Sequence, residues 1–158
     1  MAGSCGFQLR DSLPAADLER IYVVDQVDIR QMIDEPLGTR LANDLGQFAA
    51  QVLTAPAANT PGIVITDERV TERSLSLSTN LLNRQVEVEK LVNYQIIDSS
   101  GEILLSSSLS ASEILTESQS SPGAGDQEKR MLLRSINADL SRRLIYKLDS
   151  MLRESADE

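Results

Sequence analysis

The sequence predicts an α+β two-layer sandwich: a four-stranded mixed sheet with two helices on one face, in the order β-α-β-β-β-α. Three observations carry this. Apolar and polar residues alternate in three consecutive segments between Ile63 and Ala111, the period of strands that bury one side. Leucines recur at spacings of three and four on either side of those segments, the period of amphipathic helices. A length of 158 residues accommodates one hydrophobic core and not two independent ones.

The first strand is the β-branched and aromatic run Ile21-Tyr22-Val23-Val24, whose continuity implies burial. Asp34-Glu35-Pro36 then has the chemistry of a helix start, and Leu37, Leu41, Leu45, Phe48 and Val52 follow at helical spacing. This helix is expected to run until Pro56, where Pro56 to Gly62 forms a loop. A strand-helix-strand unit results. Its crossover makes the first two strands parallel, directly or with another strand between them.

Ile63-Val64-Ile65 opens the second strand, which is interrupted by Asp67-Glu68-Arg69 and resumes in Leu75 and Leu77 among Ser74, Ser76 and Ser78, predicting a kink or bulge. After a turn at Asn80 to Asn83, Val86, Val88, Val92, Tyr94 and Ile96 share one face of the third strand, and Glu87, Glu89, Asn93 and Gln95 share the other. Asp98-Ser99-Ser100-Gly101 supplies the next turn. The fourth strand alternates Ile103, Leu105, Leu109 and Ala111 with Ser106, Ser108, Ser110 and Ser112. Thr116 to Gly125 is rich in Ser, Gly and Pro and reads as a loop, with Asp126 as a cap. Met131 or Leu132, Ile136, Leu140, Leu144, Leu148 and Leu152 then form a long second helix, with Asp139 and Arg143 paired on its outer side. Two helices on one sheet face leave the opposite face, serine-rich on the second and fourth strands, uncovered. Ser74, Ser76, Ser106, Ser108 and Ser110 are therefore candidates for a partner interface.

Composition narrows the chemistry. Fifteen basic against 24 acidic residues, a net charge of −9, oppose binding to nucleic acid. The absence of histidine removes the commonest general base and metal ligand, and no phosphate-binding or nucleophile-elbow motif occurs, so neither an enzyme, a metal nor a cofactor is expected. The acidic pairs Asp34-Glu35 and Asp67-Glu68 read as a solvated cap and a strand interruption. The seven basic residues from Lys129 to Arg153 read as the solvated side of the second helix. One cysteine excludes an internal disulfide, and no apolar run reaches the roughly 18 residues of a transmembrane helix.

That cysteine, Cys5, follows the small residues Ala2, Gly3 and Ser4, which end like the cleavage site of a bacterial lipoprotein signal but lack the large aliphatic residue usual at the position of Ala2. Residues 1–4 are expected to be a signal or cloning remnant, 5–20 a lipid-anchor arm and 21–155 a single α/β domain. By composition alone Cys5 is an incidental thiol on an N-terminal arm. The order Cys5-Gly6-Phe7-Gln8-Leu9-Arg10, then Leu13-Pro14 and Ile21-Tyr22-Val23-Val24, resembles the mature start of the LPS-assembly lipoprotein LptE (RlpB) family. Glu89 with Tyr94, and Glu128 with Asn137, Asp139 and Leu144, look like the family's counterparts in the same elements.

The resemblance implies a non-enzymatic outer-membrane lipoprotein, acylated at Cys5, that plugs and helps assemble the β-barrel partner LptD. It also implies contact with lipopolysaccharide, for which Arg84, expected in the turn beside Leu81 and Leu82, falls near one basic position of the family, to within a residue. The family's second basic position falls among Ser121, Pro122, Gly123, Ala124 and Gly125, none of them charged, and Lys129 is the nearest substitute. Gly6 fits sorting to the outer membrane. The rival reading is a lipid-anchored periplasmic adaptor, or an auxiliary subunit of another lipid transporter.

Overall fold

The computed structural model describes residues 19–28, 35–49, 51–77, 83–118 and 124–157. The predicted turn at 80–82, the helix start at Asp34 and the loop at 119–123 lie outside the described residues, as do Cys5 and most of the N-terminal arm. Among the described residues seven elements follow one another: β1 (Arg20–Asp25), α1 (Leu37–Leu45), β2 (Gln51–Leu53), β3 (Gly62–Leu77), β4 (Asn83–Ile97), β5 (Ile103–Ser118) and α2 (Ala124–Ala156). The protein is thus α+β, with one mixed sheet and two helices. The sheet order is β2-β1-β3-β4-β5, with β1 parallel to both neighbours and β3, β4 and β5 antiparallel. β1 pairs with β3 directly.

The sheet has five strands and not the predicted four, because α1 stops early. The amide of Gly46 reaches the carbonyl of Ala42 at 3.0 Å, and those of Phe48 and Ala49 both close on Leu45 at 2.9 Å, which ends the helix in a turn. Phe48 continues the helical spacing only by coincidence, since 39% of it is exposed. Val52, read as the last helical position, instead pairs with Ile21 as the β-branched centre of β2. The free edge of β1 offers backbone partners that a longer helix would have left unsatisfied.

Two further boundaries move. β5 continues to Ser118, where a loop was expected, because β4 begins at Asn83 and supplies partners such as Val86 for Leu115. α2 begins at Ala124 and spans 33 residues, about 50 Å, so it can run the length of the 16-residue β5. In its first turns Leu132 is buried and Met131 is 61% exposed.

One core joins the layers. Leu37, Leu41 and Leu45 of α1 and Leu133, Ile136, Leu140, Leu144 and Leu148 of α2 cluster with Ile21, Val23, Ile63, Ile65 and, from β4, Val86, Val88, Val92, Tyr94 and Ile96. The opposite side is not bare throughout: Tyr22 and Val64 are buried there, and Tyr22 lines a cleft together with Pro56 to Thr60 and the turn Ser99 to Gly101. Gly62 faces Tyr22 in the β1–β3 register, and a Cβ at Gly62 would fall 2.3 Å from the ring, so only glycine admits this packing.

Candidate binding surfaces

The interruption at Asp67-Glu68-Arg69 does not turn all its charge to solvent. The β3–β4 register shifts between Ile65 and Asp67, so that Glu68 follows the core phase opposite Val92 while Asp67 faces Asn93. Glu68 is therefore buried, and Lys90 in the core phase of β4 meets it, Nζ to Oε2 at 2.6 Å. The lysine also donates to Asn137 Oδ1 at 2.7 Å, and Asn137 Nδ2 donates to the carbonyl of Glu35 at 3.0 Å.

Glu68 Oε1 accepts the amide of Leu37 at 3.1 Å, capping a helix whose Pro36 has no side chain to do so. Burial pushes the Glu68 carboxyl above its ordinary value, against the pull of Lys90 and, more weakly, the Leu37 amide; Asp25 adds to the rise. The Oε2 contact is held by charge, with no aligned hydrogen bond among the described residues. Asp25 and Asp44 complete the attachment of α1, through Gly38 N–H at 3.2 Å and Ser141 Oγ at 2.7 Å. This cluster ties α1 to the sheet and to α2; among the described residues no group of three His, Cys, Asp or Glu side chains is placed to hold a metal.

Arg84 is in strand β4 and not in a turn: the register sets it between Leu77 and Glu117, on the side of Val86. Its guanidinium donates to Ser74 Oγ at 3.1 and 2.8 Å. Lys129, in the first turns of α2, pairs with Glu72. Glu72 and Ser74 lie on one side of β3, so the two basic candidates occupy the same side of the sheet near the β3–β4 end.

The serines divide. Ser106 and Ser108 pair with Gln95 and Asn93 on the side away from the core, whereas Ser74 pairs with Val86 and lies on the core side. The bulges in β3 cause this, since each reverses the strand's phase. Ser76, beyond the second bulge, has its backbone opposite Gln85, and its side chain lies outside the described residues. Glu89 is exposed opposite Ser112. Tyr94 is buried, its phenol pushed up by that burial against a hydrogen bond from Ser107.

Glu68, Lys90 and Asn137 escaped the sequence reading as a group. Two signals could have found them: Lys90 falls in the apolar phase of β4, and Asn137 in that of α2 beside Ile136 and Leu140.

No protein-family model and no curated protein matches the chain. Its fold is similar to that of several solved lipoproteins. The rare lipoprotein B of Shewanella oneidensis superposes with a TM-score of 0.68 at 14% identity, covering 88% of this chain and 99% of the other. The solution structure of a lipoprotein B from Nitrosomonas europaea gives 0.69 at 20% identity, covering 92% and 91%. A minor lipoprotein of Acinetobacter baumannii gives 0.63 at 15% identity, covering 84% and 92%.

Proposed function

We propose that this chain is a lipoprotein of the LptE (RlpB) type, anchored in the outer membrane by acyl chains on Cys5. There it plugs and helps assemble a β-barrel partner of the LptD kind and assists lipopolysaccharide transport without catalysing a reaction. One observation carries the reading: the residues that resemble the family's mature start lead, in order, into a fold shared along most of the chain with solved lipoproteins, rare lipoprotein B among them. The side bearing Ser106, Ser108 and Ser110 is the surface for the barrel wall, where small hydroxyls allow close approach without an aggregating patch; the backbone of Ser76 stands opposite Gln85. Ser74, on the other side of β3, belongs with Arg84. Arg84 and Lys129 are the groups for lipopolysaccharide phosphates, each released from a local acceptor, Ser74 or Glu72, to make the contact.

The test is purification from outer membranes through the full-length precursor. A β-barrel should co-purify and become protease-sensitive when this chain is absent, and the mature N-terminal cysteine should carry acyl mass. Recovery of an inner-membrane transporter instead would favour the adaptor reading. Arg84→Glu should lower lipopolysaccharide capture, more at low than at high salt, and leave barrel recovery unchanged.

A further inference from the structure

In a chain with 24 acidic and 15 basic residues, cations without partners are the anomaly, and in this fold they gather in one place. Of the basic residues described outside α2, all but Arg20 meet a carboxylate or, for Arg84, a hydroxyl. On α2, Lys129, Arg143 and Arg153 are matched by Glu72, Asp139 and Asp149. Arg130, Arg134, Arg142 and Lys147 are exposed and have no hydrogen-bond or ion-pair partner among the described residues.

These four share the side of α2 that is turned from the sheet. Ile136, Leu140, Leu144 and Leu148 occupy the buried side. Arg130, Arg134 and Arg142 follow spacings of four and eight on the other, Tyr146 stands one turn beyond Arg142, and Met131 and Lys147 flank the row; Tyr146 is 49% exposed. The stripe from Arg130 to Lys147 is about 25 Å long. Residues 129–153 hold seven basic and two acidic residues, net +5, so the remaining eight basic and 22 acidic residues carry −14. Asp126 and Glu128 before the stripe and Glu154 after it confine the positive charge to the middle of the helix. Glu87 and Glu89, on the serine side of the sheet, are separated from it by the thickness of a helix and a sheet, more than the screening length of about 8 Å at physiological salt.

We infer that this stripe rests on a leaflet of anionic phospholipid, with its cations against headgroup phosphates and Tyr146 and Met131 among the headgroups. The apolar side of α2 is committed to the core, so the helix cannot sink to the acyl chains and the contact is made by charge at headgroup depth. Three of the four unmatched cations are arginine, whose guanidinium holds a phosphate by two parallel hydrogen bonds. Tyrosine suits a boundary that is apolar below and wet above. A protein partner would call for an apolar centre with a polar rim; here the two exposed apolar side chains stand 15 residues apart, about 22 Å, with arginines between them, an arrangement that fits dispersed headgroups. A net charge of −9 disfavours recruitment from solution, so the stripe chiefly orients a domain already held at a surface. That last step rests on the acyl anchor proposed at Cys5; it sets α2 against the leaflet and turns the serine side of the sheet away from it.

The test uses the full chain with Cys5→Ser, so that it does not depend on acylation, which is read separately as acyl mass. Vesicles of phosphatidylcholine should sediment little protein. Vesicles that also contain phosphatidylglycerol should sediment more at low salt, and the difference should vanish near 1 M, where the screening length is about 3 Å. Arg134→Gln and Arg142→Gln should each weaken that binding about fivefold, the equivalent of about 1 kcal/mol per cation at an anionic surface. Arg73→Gln, on the side of the sheet away from α2, should leave it unchanged. The chain has no tryptophan, so Tyr146→Trp reports position: its emission should shift to the blue on phosphatidylglycerol vesicles, and that of Ile114→Trp, opposite Glu87 on the serine side, should not. No binding to phosphatidylglycerol at low salt, an equal loss in Arg73→Gln, a shift at residue 114 and not at 146, or capture by lipopolysaccharide micelles or polyglutamate without vesicle binding would overturn the assignment to a phospholipid leaflet.

Discussion

Glu68 with Lys90 and Arg73 with Glu87 join the same two strands at the same separation, 2.6 Å, yet they stand in different surroundings. The side chains of the first pair are 1% and 4% exposed; those of the second are 74% for Arg73 and 28% for Glu87. The first is on the core side, where the bulge after Ile65 brings Glu68 into phase with Lys90. The second faces away from the core, in water. Distance is therefore a poor guide to what an ion pair contributes. Removing one charge from the buried pair strands the other in a low dielectric, whereas removing one from the exposed pair returns its partner to solvent.

The largest effect should follow Glu68→Ala. It leaves Lys90 in the core with only the Asn137 amide oxygen and uncaps α1 at Leu37. The loss should be about 3–5 kcal/mol, read as a lower urea midpoint at unchanged slope. Replacing both members, Glu68→Leu with Lys90→Met, should cost much less than the single change or even add stability, because no charge is then stranded. A double variant as damaged as the single one would show that capping of α1, and not charge, decides.

The second effect is a pH dependence at Glu68. The folded value of Glu68 is raised above its ordinary 4.5, chiefly by burial, so folding favours the protonated form. Its contribution to stability is complete below the unfolded value and declines as pH rises through the folded one. The difference in unfolding free energy between wild type and Glu68→Gln should accordingly be most favourable to wild type at acid pH and shrink as pH climbs above 4.5. A difference that grew with pH would mean that Lys90 outweighs burial.

The same contrast explains what was legible in the sequence. Alternation from Val86 to Ile96 marked the buried side of β4 correctly, and the periodicity of Ile136, Leu140, Leu144 and Leu148 marked that of α2. Ser106 and Ser108 were placed on the solvent side because β5 carries no bulge in that stretch. β3 defeats the method, since two register shifts reverse its phase, sending Ser74 to the core side and Glu68 into the core. The interruption at Asp67-Glu68-Arg69 announced the first shift, between Ile65 and Asp67, but the pattern did not give the phase beyond it or reveal the second, between Ser74 and Ser76. β2 was missed for another reason: three residues are too few to show a period, and Val52 happened to continue the spacing of α1. The pairing of Asp139 with Arg143 was legible because it is local, an i, i+4 contact at 2.6 Å; that of Glu68 with Lys90 depends on strand pairing and was not.

The smallest expected effect is that of Arg73→Ala. Its guanidinium reaches Glu87 Oε2 through Nη2 at 2.6 Å and Nε at 3.1 Å, a good geometry, but it does so from a side chain mostly in water. Holding a long side chain in one conformer costs entropy that offsets most of the Coulomb gain, leaving about 0.2–1 kcal/mol. Glu87 also has another partner within reach, Ser112 Oγ at 3.5 Å, so losing Arg73 does not orphan it. The loss should diminish toward zero near 1 M salt, where the screening length falls to about 3 Å, while the loss from Glu68→Ala should persist. If denaturation at both salts gave Arg73→Ala a cost comparable to that of Glu68→Ala, exposure would not be what separates the two pairs, and the outer side of β3 and β4 would have to be as dry as the core.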